Sequence, residues 1–286
     1  VDEIRASLDP SRPVALYCRS GRRSAASAKY LAKHGYEKVY DLQGGILAWS
    51  AEGLPVVDNK DYEVDIFKTG SGKEVYMHAL LHASVMIEYD SLTIFVDPVS
   101  KLGGREVNYL MLPRADYVLV THEHGDHFDK NAIAKLENEH TVLILNGTAQ
   151  RQLERGDIIQ NFQSRHLRGD ILLESVPAYN TTPDRMRYHP QGNGNGYVLT
   201  IDGLRIYAAG DTEDVPEMAD LKDIDVAFLP VNQPFTMTVG QAVHAAQMIK
   251  PKVLIPYHFS QTPIEQLKQA LDAANSGIDV RLREMQ

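Results

Sequence analysis

Thr121-His122-Glu123-His124-Gly125-Asp126-His127-Phe128-Asp129 follows directly on the apolar run Tyr117-Val118-Leu119-Val120. A β-branched apolar run bounded this way reads as a strand buried in a sheet. The histidines and their neighbouring carboxylates therefore fall where that strand ends and a loop begins. On extended backbone His122 and His124 point to the same side, so one cation can take both. Gly125 lets the chain turn and aim Asp126 and His127 at a second point nearby. Imidazole and carboxylate at this spacing suit zinc, manganese or iron.

Working outward, the 286 residues allow about two domains. The first, residues 1–58, is expected to be separate from the second, residues 59–286, with a polar linker over 52–65. No apolar run approaches the roughly 18 residues of a membrane span. Val1-Asp2-Glu3-Ile4 shows no signal-peptide pattern, and the missing initiator Met points to a processed or partial chain. The single cysteine, Cys18, fits a reducing, cytoplasmic setting. A net charge of −9 argues against a nucleic-acid partner. The expected partner is a small-molecule substrate, with self-association left open.

In the first segment, Val14 to Tyr17 reads as a strand entering Cys18-Arg19-Ser20-Gly21-Arg22-Arg23-Ser24. Ser24 to His34 follows a helical pattern with Ala25, Ala28, Leu31 and Ala32 on one face. Lys38 to Leu42 is a second strand. A thiol at the mouth of a loop entering a helix meets backbone N–H groups and the positive dipole end, which favours thiolate. This segment resembles the C-terminal half of a rhodanese module. Cys18 to Ser24 looks like its active-site loop, and Gly44-Gly45-Ile46 with Trp49 and Gly53-Leu54-Pro55 looks like its closing signature. The resemblance implies a persulfide on Cys18, held by the loop amides (Arg19, Ser20, Gly21, Arg22, Arg23) with the Arg19 and Arg23 charges. The earlier half of such a module either lies upstream of residue 1 or has been lost.

The second segment begins with strands at Glu74 to Leu80, Ser84 to Tyr89 and Leu92 to Val96, the last ended by Asp97-Pro98. A strand from Ile171 is expected to stop at Val176, before Pro177. Tyr197 to Ile201 and Leu204 to Ala208, joined at Asp202-Gly203, form a hairpin. β-α alternation follows to the end, so two packed sheets with helices outside are expected. Asp211 and His258 each follow an apolar run, and one carboxylate can serve two cations about 3.5–4 Å apart.

Asp97-Pro98, His122-x-His124-x-Asp126-His127, Gly210-Asp211 and His258, in this order, resemble the metallo-β-lactamase fold superfamily over residues 70–286. His82-Ala83-Ser84, Pro177 to Asn180, His189-Pro190 and Gly210-Asp211-Thr212 are similar to its ascorbate-phosphate lactonase branch. The resemblance implies a four-layer αββα sandwich of α/β (α+β) class beside the partial rhodanese-like segment. It places His122 and His124 on one cation, Asp126, His127 and His258 on a second, and Asp211 between them. Asp97 would support the histidine loop, and His82 and Asn180 would contact substrate or ligands. Many superfamily members carry a third histidine where this chain has Asn180; His189, or less readily His166, is the candidate replacement. Two divalent ions are implied, zinc first, with manganese or iron as alternatives. The implied chemistry is hydrolysis of an ester, lactone or phosphoester, with Asp126 orienting the attacking water and accepting a proton. Two other readings stay open: an iron-dependent persulfide dioxygenase, and a non-catalytic sulfur carrier acting through Cys18.

Overall fold

The computed structural model of the chain describes residues 8–52 and 62–285. Two compact units are present, Val1–Asp58 and Asn59–Gln286. In the first, β1 (Val14–Leu16) and β2 (Val39–Asp41) pair in parallel, with α1 (Arg22–Lys33) as the crossover that parallel pairing requires. α2 (Gly45–Ala51) follows and carries Trp49. The buried face of α1 is Ser24 and Leu31, with Ala25 and Ala28 half-buried and the expected Ala32 exposed. Gly53-Leu54-Pro55 lie outside the described residues.

The second unit opens with an antiparallel meander of β3 (Glu63–Lys68), β4 (Glu74–Leu81), β5 (Ser84–Tyr89) and β6 (Leu92–Val96). A small hairpin, β7 (Lys101–Leu102) with β8 (Arg105–Glu106), precedes β9 (Tyr117–Val120). Then come α3 (Lys130–Leu136), β10 (Val142–Leu145), α4 (Gly147–Leu153) and β11 (Asp157–Ile158). The first seven-stranded sheet has the order β11-β10-β9-β6-β5-β4-β3.

The second sheet contains β12 (Ser164–Leu167), β13 (Ile171–Ala178), β14 (Gly194–Ile201), β15 (Leu204–Ala208), β16 (Val226–Pro230), β17 (Val253–Tyr257) and β18 (Asp279–Val280), in that order. α5 (Val239–Ile249) and α6 (Glu265–Ala273) connect its later, parallel strands.

Side-chain alternation explains the layering. Tyr117 and Leu119 of β9 join Ile206, Phe228 and Ile255 in a core between the sheets. Val118 and Val120 face the other way, onto Ile133 and Leu136 of α3 and Ala149 of α4. The outer face of the second sheet is covered by Ala242, Ala246 and Ile249 of α5 and Leu267 and Leu271 of α6. The result is the expected αββα sandwich of mixed α/β class. Both faces of β9 are buried, which is why its sequence is continuously apolar.

Two local expectations are corrected. The polar linker stops short of Glu63, because Glu63–Lys68 is an edge strand paired with β4. β13 runs through Pro177 to Ala178. Its partner β12 pairs only as far as Glu174, so the proline's missing N–H removes no ladder bond on that side.

Candidate metal centre

Every expected metal-site residue of the second unit sits at a strand end or in a loop along one edge. Asp97 follows β6, His122 and His124 follow β9, Asp211 follows β15, His258 follows β17, and His82 lies in the turn from β4 to β5. Gly210 is required where it stands. Its φ is +65°, and an added Cβ would lie 2.6 Å from the Asn195 carbonyl oxygen. His82, Asp97 and His258 also adopt left-handed backbone, at φ 59°, 45° and 44°. Such conformations cost about 1 kcal/mol or more each and persist where the surroundings impose them. Here backbone bonds do so: His82 N donates to Met285 O, His258 N to His82 O (3.1 Å) and Asp97 N to Leu119 O (2.9 Å).

Two groups of four side chains converge, each with its donor atoms within 4.8 Å of one another. The first is His122, His124, His189 and Asp211; the second is His82, Asp126, His127 and His258. His124 Nδ1 lies 3.1 Å from His122 Nε2 and 3.2 Å from His189 Nε2. Asp211 touches both groups. Its Oδ2 is 3.2 Å from His189 Nε2 and 3.2 Å from His258 Nε2, and its Oδ1 is 3.1 Å from His127 Nε2. Asp126 Oδ2 lies 3.3 Å from His82 Nε2 and 3.5 Å from His258 Nε2.

Supporting hydrogen bonds decide which ring nitrogen faces inward. Thr121 Oγ1 donates to Asp97 Oδ2 (2.6 Å), so the same hydroxyl accepts from His122 Nδ1 (3.0 Å) and leaves His122 Nε2 a free lone pair. His127 Nδ1 donates to Asp97 Oδ2 (2.7 Å), and His189 Nδ1 donates to the Phe235 carbonyl (3.0 Å). An imidazole whose outer nitrogen is held by carboxylate or carbonyl is the arrangement metal-binding histidines use.

The electrostatics agree. Burial first, then the neighbouring His127, holds His122 well below the ordinary imidazole value, and burial and His189 lower His124. Both are therefore neutral, as ligands must be. The second group differs: its carboxylates outweigh burial, raising His127 well above the ordinary value and His258 to about 9, so these rings carry protons that a bound cation would displace. Asp211 is held well below the usual carboxylate range: burial pushes it up, and His127 and His258 more than reverse that. A fully buried carboxylate surrounded by imidazoles thus demands positive charge.

The donor set fits divalent cations on two counts. Atoms about 2.0–2.1 Å from a tetrahedral cation lie about 3.3 Å apart, which matches the separations above. His127 Nε2, Asp211 Oδ1 and both His258 ring nitrogens are buried with no hydrogen bond among the described residues. Ring nitrogen and carboxylate oxygen 3.1 Å apart but misaligned for a hydrogen bond both point at a common third position.

The place where Asn180 replaces a histidine is also explained. Asn180 N donates to the His189 carbonyl (2.9 Å), closing the loop 180–189 so that His189 enters the first group. Asn180 is wholly buried, with Nδ2 on the carbonyls of Phe235 (2.8 Å) and Arg185 (3.2 Å). His166 is exposed on β12 and belongs to neither group. His82, expected as a substrate or supporting contact, stands within the second group.

Sequence reasoning missed Glu123, whose carboxylate accepts from Asn146 Nδ2 (3.0 Å) and Asn193 Nδ2 (2.9 Å). This ties the histidine loop to the glycine-rich segment 192–196, which is a tight connection running into β14. Phe235 and Glu213 were missed as well. A backbone carbonyl leaves no mark in sequence, whereas a carboxylate two residues after Asp211 is a visible signal.

In the first unit, Cys18 Sγ accepts from Ser24 N and Ser24 Oγ, both at 3.5 Å. Those two bonds, with the amides of Arg23 and Ser20, lower the thiol to about 6 against a slight opposing effect of burial. Gly21, in left-handed conformation at the N-cap of α1, turns the loop. Gly45 packs beneath it, where a Cβ would lie 2.2 Å from the Cys18 carbonyl oxygen. The side chains of Arg19, Arg22 and Arg23 are exposed, so backbone amides and Ser24 surround the sulfur. Because the shift is downward, thiolate accumulates as pH rises through about 6. Iodoacetamide alkylation of Cys18 should show its midpoint there, and Ser24→Ala should move that midpoint toward about 8.5. A wild-type midpoint near 8.5 would contradict the assignment.

A family model described as the β-lactamase superfamily domain matches residues 77–258, and one described as a rhodanese-like domain matches residues 1–52. A UPF0173 metal-dependent hydrolase of Archaeoglobus fulgidus is 32% identical over 219 residues, which is 70% of this chain and 91% of that protein. A crystal structure from Parabacteroides distasonis, assigned as a metal-dependent hydrolase, is 52% identical with a TM-score of 0.76, covering 79% of this chain and 100% of that one. CmlA, a diiron β-hydroxylase from Streptomyces venezuelae, is 16% identical with a TM-score of 0.59, over 91% of this chain and 59% of that one. That last likeness concerns fold alone. Among the described residues, no helix is long and apolar enough to cross a membrane.

Proposed function

Because the chain belongs to the β-lactamase superfamily, among its UPF0173 metal-dependent hydrolases, we propose that it hydrolyses a small ester, lactone or phosphoester at a two-cation centre. His122, His124 and His189 would hold one ion, Asp126, His127 and His258 the other, and Asp211 would serve both. The observation that carries this is the convergence of two four-residue groups on one buried carboxylate. Zinc suits the imidazole-rich first group, with manganese or iron as alternatives. Cations so held lower the pKa of water toward about 7 and polarise a carbonyl or phosphoryl oxygen.

The chain's own residues then have distinct tasks. Asp211 is almost fully buried, while the Asp126 side chain is 34% exposed. Asp126 is therefore the carboxylate that substrate can reach. It orients the attacking water and accepts its proton for return to the leaving group. His82, 3.3 Å away, holds that carboxylate in place. Asp97 and Thr121 keep protons off the inward nitrogens of His127 and His122. His82-Ala83-Ser84 and Gly210-Asp211-Thr212 support a substrate of the ascorbate-phosphate lactone type. In the rhodanese-like segment, the Cys18 thiolate would attack the outer sulfur of an alkyl persulfide, forming a cysteine persulfide and releasing the alkyl thiolate.

Metal analysis of protein purified without added metal, followed by an ester, lactone and phosphodiester panel, tests the reading. About two divalent ions per chain with hydrolysis of at least one ester class is expected. One iron per chain with oxygen uptake on glutathione persulfide would replace this reading with a dioxygenase.

A further inference from the structure

Glu213 is fully buried, two residues after Asp211, and the proposed reaction gives it no part. Its carboxylate nevertheless accepts an unusual number of bonds, all from one loop. Oε2 accepts from Thr181 N (2.8 Å), Thr181 Oγ1 (3.0 Å) and Thr182 N (2.7 Å). Oε1 accepts from Thr182 Oγ1 (2.8 Å) and Arg185 Nη1 (3.4 Å). Glu213 N in turn donates to the Tyr179 carbonyl (3.0 Å), and Thr212 Oγ1 bonds the same residue. Hydrogen bonds to an ionised group are roughly twice as strong as the neutral kind. One buried carboxylate therefore fastens the start of the loop 180–189 to the turn that carries Asp211.

The far end of that loop carries His189. Asn180 N bonds His189 O, and the Phe235 carbonyl accepts both Asn180 Nδ2 and His189 Nδ1. His189 Nε2 thereby meets Asp211 Oδ2 at 3.2 Å and His124 Nδ1 at 3.2 Å. His189 lies inside the loop joining β13 to β14, five residues from the nearer strand, and its position follows from how that loop is tied down. The second group takes nothing from that loop: it draws on the β4–β5 turn, the shared histidine loop and the end of β17.

Resting on the two-cation reading above, we propose that Glu213 is a positioning residue for the first cation. It locks the loop bearing His189 to the turn bearing Asp211, and so sets the affinity of the first site, which draws on both, more than that of the second, which shares only Asp211.

The test is a chelator-competition titration that resolves two zinc affinities in wild type, Glu213→Ala and Glu213→Gln, with thermal melting alongside. The expected result is a first-site affinity about 10–100-fold weaker in Glu213→Ala, with the second site weakened less. Glu213→Gln should be intermediate, since its oxygen still accepts from the Thr181 and Thr182 amides while its NH2 faces Arg185. In cobalt-loaded protein, the first site's absorption should change more than the second's. Equal weakening of both sites, or no change in either, overturns the proposal while leaving the two-cation centre standing. Fewer than two sites in wild type overturns the centre itself. If Glu213→Ala fails to fold, Thr182→Val with Arg185→Ala keeps the carboxylate and removes two of its bonds. That variant should weaken the first site more than the second, and an unchanged first site would again overturn the proposal.

Discussion

Asp211→Asn should lower hydrolytic turnover by about 10³-fold or more and weaken retention of both cations, with the sandwich intact. The side chain keeps its shape, so packing is preserved, but one negative charge leaves a fully buried position. A unit charge about 4 Å from another contributes about 4 kcal/mol at an effective dielectric of 20, and every 1.36 kcal/mol is tenfold in rate. Asp211 stands 3.1–3.2 Å from His127, His189 and His258, which span both groups. Among the described residues no other carboxylate does this, so no other single substitution there should affect both cations equally. Metal content per chain and steady-state turnover check it together. Loss of only one ion would show that Asp211 belongs to one site.

Asp97→Asn should fold and still lose about 10²–10⁴ in turnover, by putting a proton on the wrong nitrogen. Asp97 is wholly buried and accepts from Thr121 N (2.7 Å), Thr121 Oγ1 and His127 Nδ1. An asparagine oxygen can keep the Thr121 amide, but its NH2 then faces the positions where Thr121 Oγ1 and His127 Nδ1 donate. His127 relieves the clash by accepting at Nδ1 and carrying its proton on Nε2, the atom that faces Asp211. The second cation then meets an N–H where it needs a lone pair. Loss of such an orienting carboxylate typically costs 10–100-fold in metal affinity, and the wrong imidazole tautomer accounts for the larger rate effect. Proton-resolved NMR of the His127 ring checks the tautomer directly. Asp97→Ala is a poorer probe, because it strands the buried Thr121 amide and cannot separate folding from function.

Much of this centre is legible in sequence because its chemistry stands at strand ends. Asp97, His122, Asp211 and His258 each follow an apolar run, and such runs mark where buried strands stop. His122 and His124 converge as period two predicts, although β9 ends at Val120 and the chain bends at 123–124. What sequence hides is contact across distance. His124 and His189 are 65 residues apart, and their approach depends on Asn180, Phe235 and Glu213 closing a loop. Edge strands are equally hard to see. Glu63 to Asp65 open β3 but end the polar stretch 52–65, and the usual pattern is inverted, with Asp65 buried and Val64 exposed, so the start of that strand reads as linker. β12 has only Leu167 buried and shows no strand signal at all. Pro177 misleads because its effect depends on the length of the neighbouring strand, which local sequence does not contain.

The most direct test of the two-cation claim is an anomalous diffraction map of crystals grown from protein purified without added metal. Two peaks are predicted, one enclosed by His122, His124 and His189 and one by Asp126, His127 and His258, with Asp211 reaching both. A single peak, or a pair of peaks in which Asp211 contacts only one, would contradict it.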